Sequence, residues 1–199
     1  MANTITQEDI MNSLHNLMGH RVAPGGVEDD YKRYIQSSFE YCWRYYKWGF
    51  SLKKATVDVD GLLPTDFDYE GYREFDGITE VDLATTLTSA TAGSALTWDD
   101  TTQRYKLEPA SACTVVYQYS PPTLDDGVAV PFPSAQIVAL GATVYAKQAD
   151  NPTRADITQE WDTFHSELDR LVGRADFAKR RRPVHYLDAA GTYVGDVGA

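Results

Sequence analysis

Hydrophobic residues recur with a helical period in four segments of the chain, and the polar residues lie between them. The pattern predicts helices over residues 6–18, 28–48, 134–149 and 153–178. In the last of these the apolar positions step by four, three, four and three residues, as on one face of an amphipathic helix: Ile157, Trp161, Phe164, Leu168 and Leu171. Thr6 is suited to cap the first helix, with Asp9 placed in its first turn.

The period changes to two between the second and third predicted helices. In 51–60, Ala55, Val57 and Val59 alternate with polar residues, which is typical of a strand. Residues 96–107 indicate a hairpin with 99–102 at its tip, and 112–119 is dense in β-branched and aromatic residues. These segments predict a small antiparallel β insertion over about 51–120.

The predicted fold class is therefore α+β: a mainly α-helical bundle of about four helices with a small antiparallel β insertion and an extended C-terminal arm. Residues 1–183 are expected to form one domain, and the glycine-rich residues 184–199 are expected to form a flexible arm. The two halves of the bundle must meet in space, since neither helical pair can bury its apolar face alone.

Charge is distributed unevenly along the chain. The net charge of −11 comes from residues 56–130, which carry 14 acids and 3 bases; the two flanks are nearly neutral. A uniformly basic nucleic-acid binder is excluded as the default class, because such binding depends on neutralising phosphates. A disordered acidic chain is also disfavoured, because 13 Tyr, 7 Phe and 4 Trp are too many aromatic residues for that class.

Cysteine usage and the termini favour a protein of the reducing cytosol. Cys42 and Cys113 form neither a disulfide framework nor a zinc motif, and Cys42 is expected to be a small buried apolar residue. The N-terminus lacks the pattern of a signal peptide. The longest uncharged stretch, 128–146, contains prolines and polar residues and makes a poor membrane span, so no membrane association is expected.

Catalytic and metal-binding motifs are not evident in the sequence. It has no dinucleotide fingerprint, P-loop, metalloprotease helix or nucleophile elbow, and its four histidines lack metal-ligand spacing and are expected at the surface or at caps. The segment 58–61 resembles the start of a calcium loop, but Leu63 and Tyr69 occupy the positions that require Gly and Glu, so a β-turn is the better interpretation. We expect no catalytic residue, cofactor or metal.

Two charged clusters and one aromatic helix each allow more than one functional interpretation. An acidic cluster could supply a glycosidase pair, although acids beside turns are common: Asp66, Asp68, Glu70, Glu74 and Asp76. The basic run 179–182 could bind phosphates, end a solvated helix, or anchor an acidic protein surface. In 28–48, aromatic residues interleaved with cations could bind single-stranded nucleic acid, but a packed aromatic stripe with the cations outside it is favoured.

The order of these segments resembles a family of phage proteins. The resemblance lies in the aromatic helix Phe39-Glu40-Tyr41-Cys42-Trp43-Arg44-Tyr45-Tyr46, in the turn Leu62-Leu63-Pro64-Thr65-Asp66-Phe67, and in the stretch from Val115 through Ser120-Pro121-Pro122 to Leu124. Val130-Pro131-Phe132-Pro133 then opens the third helix. This layout, over about 6–182, is similar to that of the head-to-tail adaptor, or connector, proteins of tailed bacteriophages.

The resemblance implies a structural virion protein rather than an enzyme. Such a protein would be assembled in the host cytoplasm into a homo-oligomeric ring, expected to be dodecameric, beneath the portal in the neck between capsid and tail. It would contact the portal protein and the next tail or stopper component, and DNA would pass through its channel without sequence-specific binding.

Two surfaces are candidates for these contacts. Portal binding is assigned to the basic run and the arm after it: Lys179, Arg180, Arg181, Arg182, His185, Tyr186 and Tyr193. The acidic cluster would face the channel or a basic neighbour, since carboxylates repel DNA phosphates. The alternatives are a phage tail or capsid accessory binding module, and a hydrolase that uses the acidic cluster.

Overall fold

The structure is a computed structural model, and it describes residues 3–19, 28–68, 95–108, 113–125, 127–150, 156–181, 186–187 and 193–194. Over these residues it has four helices and several small antiparallel strand pairs, which confirms the α+β class. The helices are α1 (Gln7–Met18), α2 (Glu28–Arg44), α3 (Ala135–Asp150) and α4 (Asp156–Arg181). The chain divides into two compact units, described separately below: a helical unit (Met1–Trp43 and Pro121–Arg180) and a β unit (Arg44–Ser120 and Arg181–Ala199).

Capping fixes the start of α1 as the sequence predicts. The Thr6 side chain accepts a hydrogen bond from the Asp9 amide, and the Asp9 carboxylate accepts one from the Thr6 amide at 2.9 Å. This reciprocal capping box satisfies two backbone donors that the helix leaves open. At the other end Gly19 adopts φ 72°, a left-handed conformation that glycine takes without strain, and it terminates the helix.

The second helix is shorter than predicted. It ends at Arg44 rather than at Trp48, because the chain turns there: the Trp48 amide donates to Tyr46 O and the Ser51 amide donates to Trp48 O. Four of the five residues predicted to form a packed stripe are nevertheless buried on α2 and at most 6% exposed: Tyr31, Ile35, Phe39 and Cys42. Trp43 joins them at 0% exposed, whereas Tyr46, the fifth predicted member, lies beyond the end of the helix and is half-buried. The buried residues are core residues, which removes them from any nucleic-acid surface.

Gly141 of α3 lies where α2, α3 and α4 meet. A Cβ atom built on Gly141 would lie 2.9 Å from two ring atoms of Phe164 and closer still to Ser38 Oγ. Ser38 donates a 2.7 Å hydrogen bond to Val138 O, and both it and Phe164 are fully buried. The absence of a side chain at 141 therefore allows the three helices to approach closely.

Further contacts join the remaining helices. Tyr145 of α3 and Trp161 of α4 pack edge to face at 5.5 Å, and α1 packs along α3. Residues Thr4–Ile5 (β1) pair with Val130–Pro131 (β6), a two-residue ladder that no local pattern in the sequence indicates.

Between Arg44 and Ser120, the described residues of the β unit form two antiparallel strand pairs. β2 (Leu52–Val57) pairs with β5 (Cys113–Gln118), and β3 (Ala95–Asp99) forms a hairpin with β4 (Arg104–Glu108). These ladders confirm the strands predicted in 51–60, 96–107 and 112–119. Their core is a compact apolar cluster: Val57, Leu63, Phe67, Leu107, Val115 and Tyr117.

A tight turn and a short strand pair complete the described structure. The segment 58–61 is the expected β-turn, in which the Gly61 amide donates to Asp58 O and Gly61 has φ 73°. In the C-terminal segment, Tyr186–Leu187 (β7) pairs antiparallel with Tyr193–Val194 (β8).

Candidate functional site

The predicted portal-binding run lies at the C-terminal end of the longest helix. Lys179, Arg180 and Arg181 belong to the last turn of α4, which continues three residues beyond its predicted end at 178. A helix C-terminus carries partial negative charge, so cations there are favourable to the fold. Arg182 and His185 lie outside the described residues, and Tyr186 and Tyr193 lie on the paired strands β7 and β8.

Asp66, the first residue of the acidic cluster, is held by two partners in the β unit. Its Oδ2 accepts a hydrogen bond from Lys53 Nζ at 2.6 Å, and its Oδ1 accepts one from the Tyr117 hydroxyl at 2.7 Å. The register that places Lys53 opposite Tyr117 on β2 and β5 brings both donors to the same edge. Lys53 Nζ also lies 4.0 Å from the centroid of the Tyr119 ring, a cation–π contact.

This arrangement shifts the pKa values of the groups involved. Burial raises the pKa of Asp66, but the hydrogen bonds from Lys53 and Tyr117 outweigh it, and the net pKa lies below the ordinary value of 3.8. Burial and the hydrogen bond to Asp66 raise the pKa of Tyr117. The group is thus a carboxylate, an ammonium and a neutral phenol at neutral pH, and its charges cancel.

Asp68, the second acid of the cluster, is buried. It is 3% exposed, and its Oδ2 accepts a 2.9 Å hydrogen bond from Arg44 Nε. The Asp68 amide donates to Gln118 O, which fixes the loop 62–68 against β5. A carboxylate at this position is enclosed by the β unit, which disfavours the channel-facing or neighbour-facing role predicted for Asp68.

The two described acids therefore have structural partners. Both oxygens of Asp66 are hydrogen-bonded and Asp68 is neutralised by Arg44, which favours an internal role over a glycosidase pair for these carboxylates. The other three acids of the predicted cluster lie outside the described residues: Glu70, Glu74 and Asp76. The sequence contained no signal for these ion pairs, because the partners are 13 and 24 residues apart and only the fold brings them together.

The histidines of the helical unit have packing contacts. His165 Nε2 lies 2.9 Å from the Tyr41 hydroxyl, and the two rings are stacked at 5.7 Å with planes 4° apart. His15 packs against Tyr31 at 6.1 Å. His165 is thus a contact between α2 and α4 rather than a cap, and the other two histidines, His20 and His185, lie outside the described residues.

Cys42 occupies the helical core, as the sequence predicts. It is fully buried, and burial raises the pKa of its thiol, which keeps it in the unreactive protonated form. Over the described part of the chain, no group of three or more His, Cys, Asp or Glu side chains is placed to hold a metal ion. Within the same residues, no helix is both long and apolar enough to cross a bilayer.

Comparison with known proteins returns neither a matching family model nor a matching curated protein.

Proposed function

We propose that this protein is a structural head-to-tail adaptor of a tailed bacteriophage. It would form a homo-oligomeric ring of twelve subunits under the portal, extend the DNA channel, and join the capsid to the next tail component. The proposal places it in the virion neck and assigns it no catalytic step.

The element order is the observation that carries the proposal. The first two helices and the last two build one unit, and a β unit is inserted between α2 and α3. A helical bundle that carries a β insertion is the layout of the adaptor family that the sequence resembles. Two of the quoted motifs border the inserted β unit: the aromatic segment begins on α2 and ends two residues past it, and Val130-Pro131-Phe132-Pro133 leads into α3.

The charges of the described residues support the basic run over the acids as the docking feature. Asp66 and Asp68 are compensated within the β unit, so they offer a partner little net charge. The run 179–182 places four positive charges at consecutive positions of the sequence, and its first three residues form the end of α4. Such a patch would attract an acidic surface of the portal and accelerate binding at low ionic strength.

Binding to the portal protein encoded by the same genome tests the proposal. We expect the wild-type chain to bind the portal ring and to form ring-shaped assemblies, measured by light scattering after gel filtration and by negative-stain microscopy. The double variant R180Q/R181Q should weaken this binding. The matched control R170Q/R174Q removes two positive charges from exposed positions of the same helix and should bind as the wild type does.

A truncation before Pro183 adds a test of the arm, and circular dichroism of the truncated chain shows whether it remains folded. We expect a folded chain that no longer binds the portal. A wild-type chain that neither binds the portal nor forms rings would refute the adaptor function. Equal loss of binding in both arginine pairs would refute the specific role of the basic run.

A further inference from the structure

Trp98 is a large aromatic side chain that the β unit leaves 47% exposed. It lies on the hairpin β3–β4, two residues from Leu96 and therefore on the same face of β3. Leu96 and its cross-strand partner Leu107 pack in the core of the β unit, and Tyr105 lies opposite Trp98. The apolar face of the hairpin thus continues past the core toward the tip and ends in an exposed indole.

A series of packed aromatic rings supports the Trp98 indole. Trp98 packs edge to face on Tyr105 at 4.9 Å, Tyr105 packs on Phe67 at 5.9 Å, and Phe67 contacts Tyr117 at 6.3 Å. These three supporting rings belong to the core cluster or are packed against it. A side chain that is already ordered loses little conformational freedom on binding, which is the property of an interface anchor.

The tip of the hairpin is fixed as well. The Asp99 carboxylate accepts hydrogen bonds from the Thr101 amide and the Thr102 hydroxyl, both at 2.9 Å. Arg104 Nε donates to Leu63 O at 2.7 Å and ties the second strand to the loop beneath it. The hairpin is therefore a preorganised projection with one apolar anchor and two acids at its tip, Asp99 and Asp100.

The helical unit has a groove of matching size. It holds about 210 Å³ and is lined by residues of α1, α3 and α4: Leu17, Leu140, Thr143, Val144, Lys147, Glu160 and Thr163. Leu17 at its edge is a large apolar side chain that is 43% exposed. Because an apolar cavity of about 150 Å³ binds benzene, this groove has room for an indole ring.

One polar atom of a groove residue lacks a donor in the part of the chain that the structure describes. Glu160 Oε1 accepts a hydrogen bond from Lys147 Nζ, but the buried Glu160 Oε2 has no hydrogen-bond partner among the described residues. Leaving a buried acceptor unpaired costs about 1–3 kcal/mol, more for a charged group. The indole N–H of tryptophan is a donor only, so it would complement this oxygen.

We propose that Trp98 of one copy of this chain binds in the groove between α1, α3 and α4 of a second copy. The indole would pack against Leu17, Leu140 and Val144, and a small rotation of the Glu160 carboxylate would let it accept the indole N–H. As an interface of the adaptor ring, this contact rests on the proposed function.

The geometry of such a contact has a consequence for assembly. The anchor and the groove are different surfaces of the same chain, so each copy can bind one neighbour with its hairpin and another with its groove. Contacts of this head-to-tail kind close into rings or extend into filaments, whereas a self-complementary contact stops at a dimer. The inferred contact is therefore of the kind that a ring requires.

Sedimentation velocity of the full-length protein over a wide range of concentration tests the contact. We expect the wild type to self-associate, and both Trp98→Ala and Leu17→Glu to weaken self-association roughly tenfold or more. Val59→Ala is the matched control for the first variant, since Val59 is 72% exposed in the β unit. Asn16→Glu is the control for the second, because it adds the same charge at an exposed α1 position outside the groove.

Mixing the two variants separates the head-to-tail contact from other modes of association. Trp98→Ala keeps an intact groove and Leu17→Glu keeps an intact hairpin, so the mixture should form dimers that do not grow, while each variant alone stays monomeric. A benzoylphenylalanine placed at position 98 should crosslink to α1, α3 or α4 of another copy, as mass spectrometry of the crosslinked peptides would show.

The result that overturns the inference is distinct from the result that overturns the adaptor function. Wild type that stays monomeric, Trp98→Ala that associates as the wild type does, or a crosslink to any other segment would refute the contact. Portal binding is measured separately: rings that form on the portal with Trp98→Ala would refute this contact and leave the adaptor function standing. Self-association through the groove with neither portal binding nor ring formation would refute the adaptor function and leave this contact standing.

Discussion

Replacing Gly141 with alanine should destabilise the protein, although alanine is the better helix former. On propensity alone, alanine in a helix interior is favoured over glycine by about 1 kcal/mol. The added Cβ would, however, lie 2.9 Å from two ring atoms of Phe164 and still closer to Ser38 Oγ, and both of these side chains are fully buried. Overpacking of this kind costs about 1–3 kcal/mol.

The hydrogen bond of Ser38 adds to the cost. If the new methyl group displaces Ser38 Oγ from Val138 O, a buried 2.7 Å hydrogen bond worth about 1 kcal/mol is lost. After the gain in helix propensity is subtracted, the free energy of unfolding should fall by about 1–3 kcal/mol. The melting temperature should then fall by about 2–4 °C for each kcal/mol.

Urea denaturation followed by circular dichroism measures the change, and Gly173→Ala is the matched control. Gly173 also lies inside a helix, α4, but a Cβ atom there would meet no other heavy atom within 4 Å. Gly173→Ala should therefore stabilise the protein by about 0.5–1 kcal/mol. A Gly141→Ala variant that is as stable as Gly173→Ala would refute the packing argument.

A double-mutant cycle identifies the contact responsible. Ser38→Ala removes the atom nearest the new methyl group, so Ser38→Ala/Gly141→Ala should be more stable than the sum of the two single effects implies. Additive effects would instead place the strain against Phe164.

Three further predictions concern the β unit and the first helix. Asp66→Asn should lower the free energy of unfolding at neutral pH. Because the pKa of Asp66 in the folded state is depressed below 3.8, the loss relative to the wild type should be full above pH 3.8 and should vanish as the pH falls through the folded-state pKa. Acid unfolding curves of the two proteins would show this. Asp68→Ala should lower the free energy of unfolding by about 3 kcal/mol, because it removes the carboxylate that pairs with Arg44 and Asp68 is only 3% exposed. A loss below about 1 kcal/mol in urea denaturation, which is typical of a surface ion pair, would contradict this. Thr6→Ala should cost about 1 kcal/mol through loss of the α1 cap, whereas Thr6→Asn should cost little, as thermal unfolding of both variants would measure.

The elements with a strong local signal were predictable from the sequence. The α1 cap follows from Thr6 and Asp9. The aromatic face of α2 and the strands of the β unit follow from side-chain periodicity. The predicted end of α2 was wrong by four residues. The aromatic residues past Arg44 continue the apolar pattern of the helix, but the backbone turns at Tyr46–Ser51. Apolar periodicity describes which side chains are buried, and buried side chains also occur in turns.

The candidate sites were less predictable, because a charge in the sequence does not reveal its partner. Asp66 and Asp68 belong to an acidic segment by composition, yet each is neutralised by a cation that the fold brings to it. The groove residue Glu160 lies on the polar side of a predicted amphipathic helix, where nothing local indicates a buried oxygen without a donor.

The sequence by itself determined the α+β class, the four helices and the position of the β insertion, since these depend on periodicities and caps that act within a few residues. Only the tertiary structure decided which glycine must remain glycine, which acids are neutralised and that Trp98 is exposed on a supported hairpin. Each of these depends on distances between residues far apart in the chain, such as Gly141 and Ser38 or Lys53 and Asp66, and close packing and strand register set those distances.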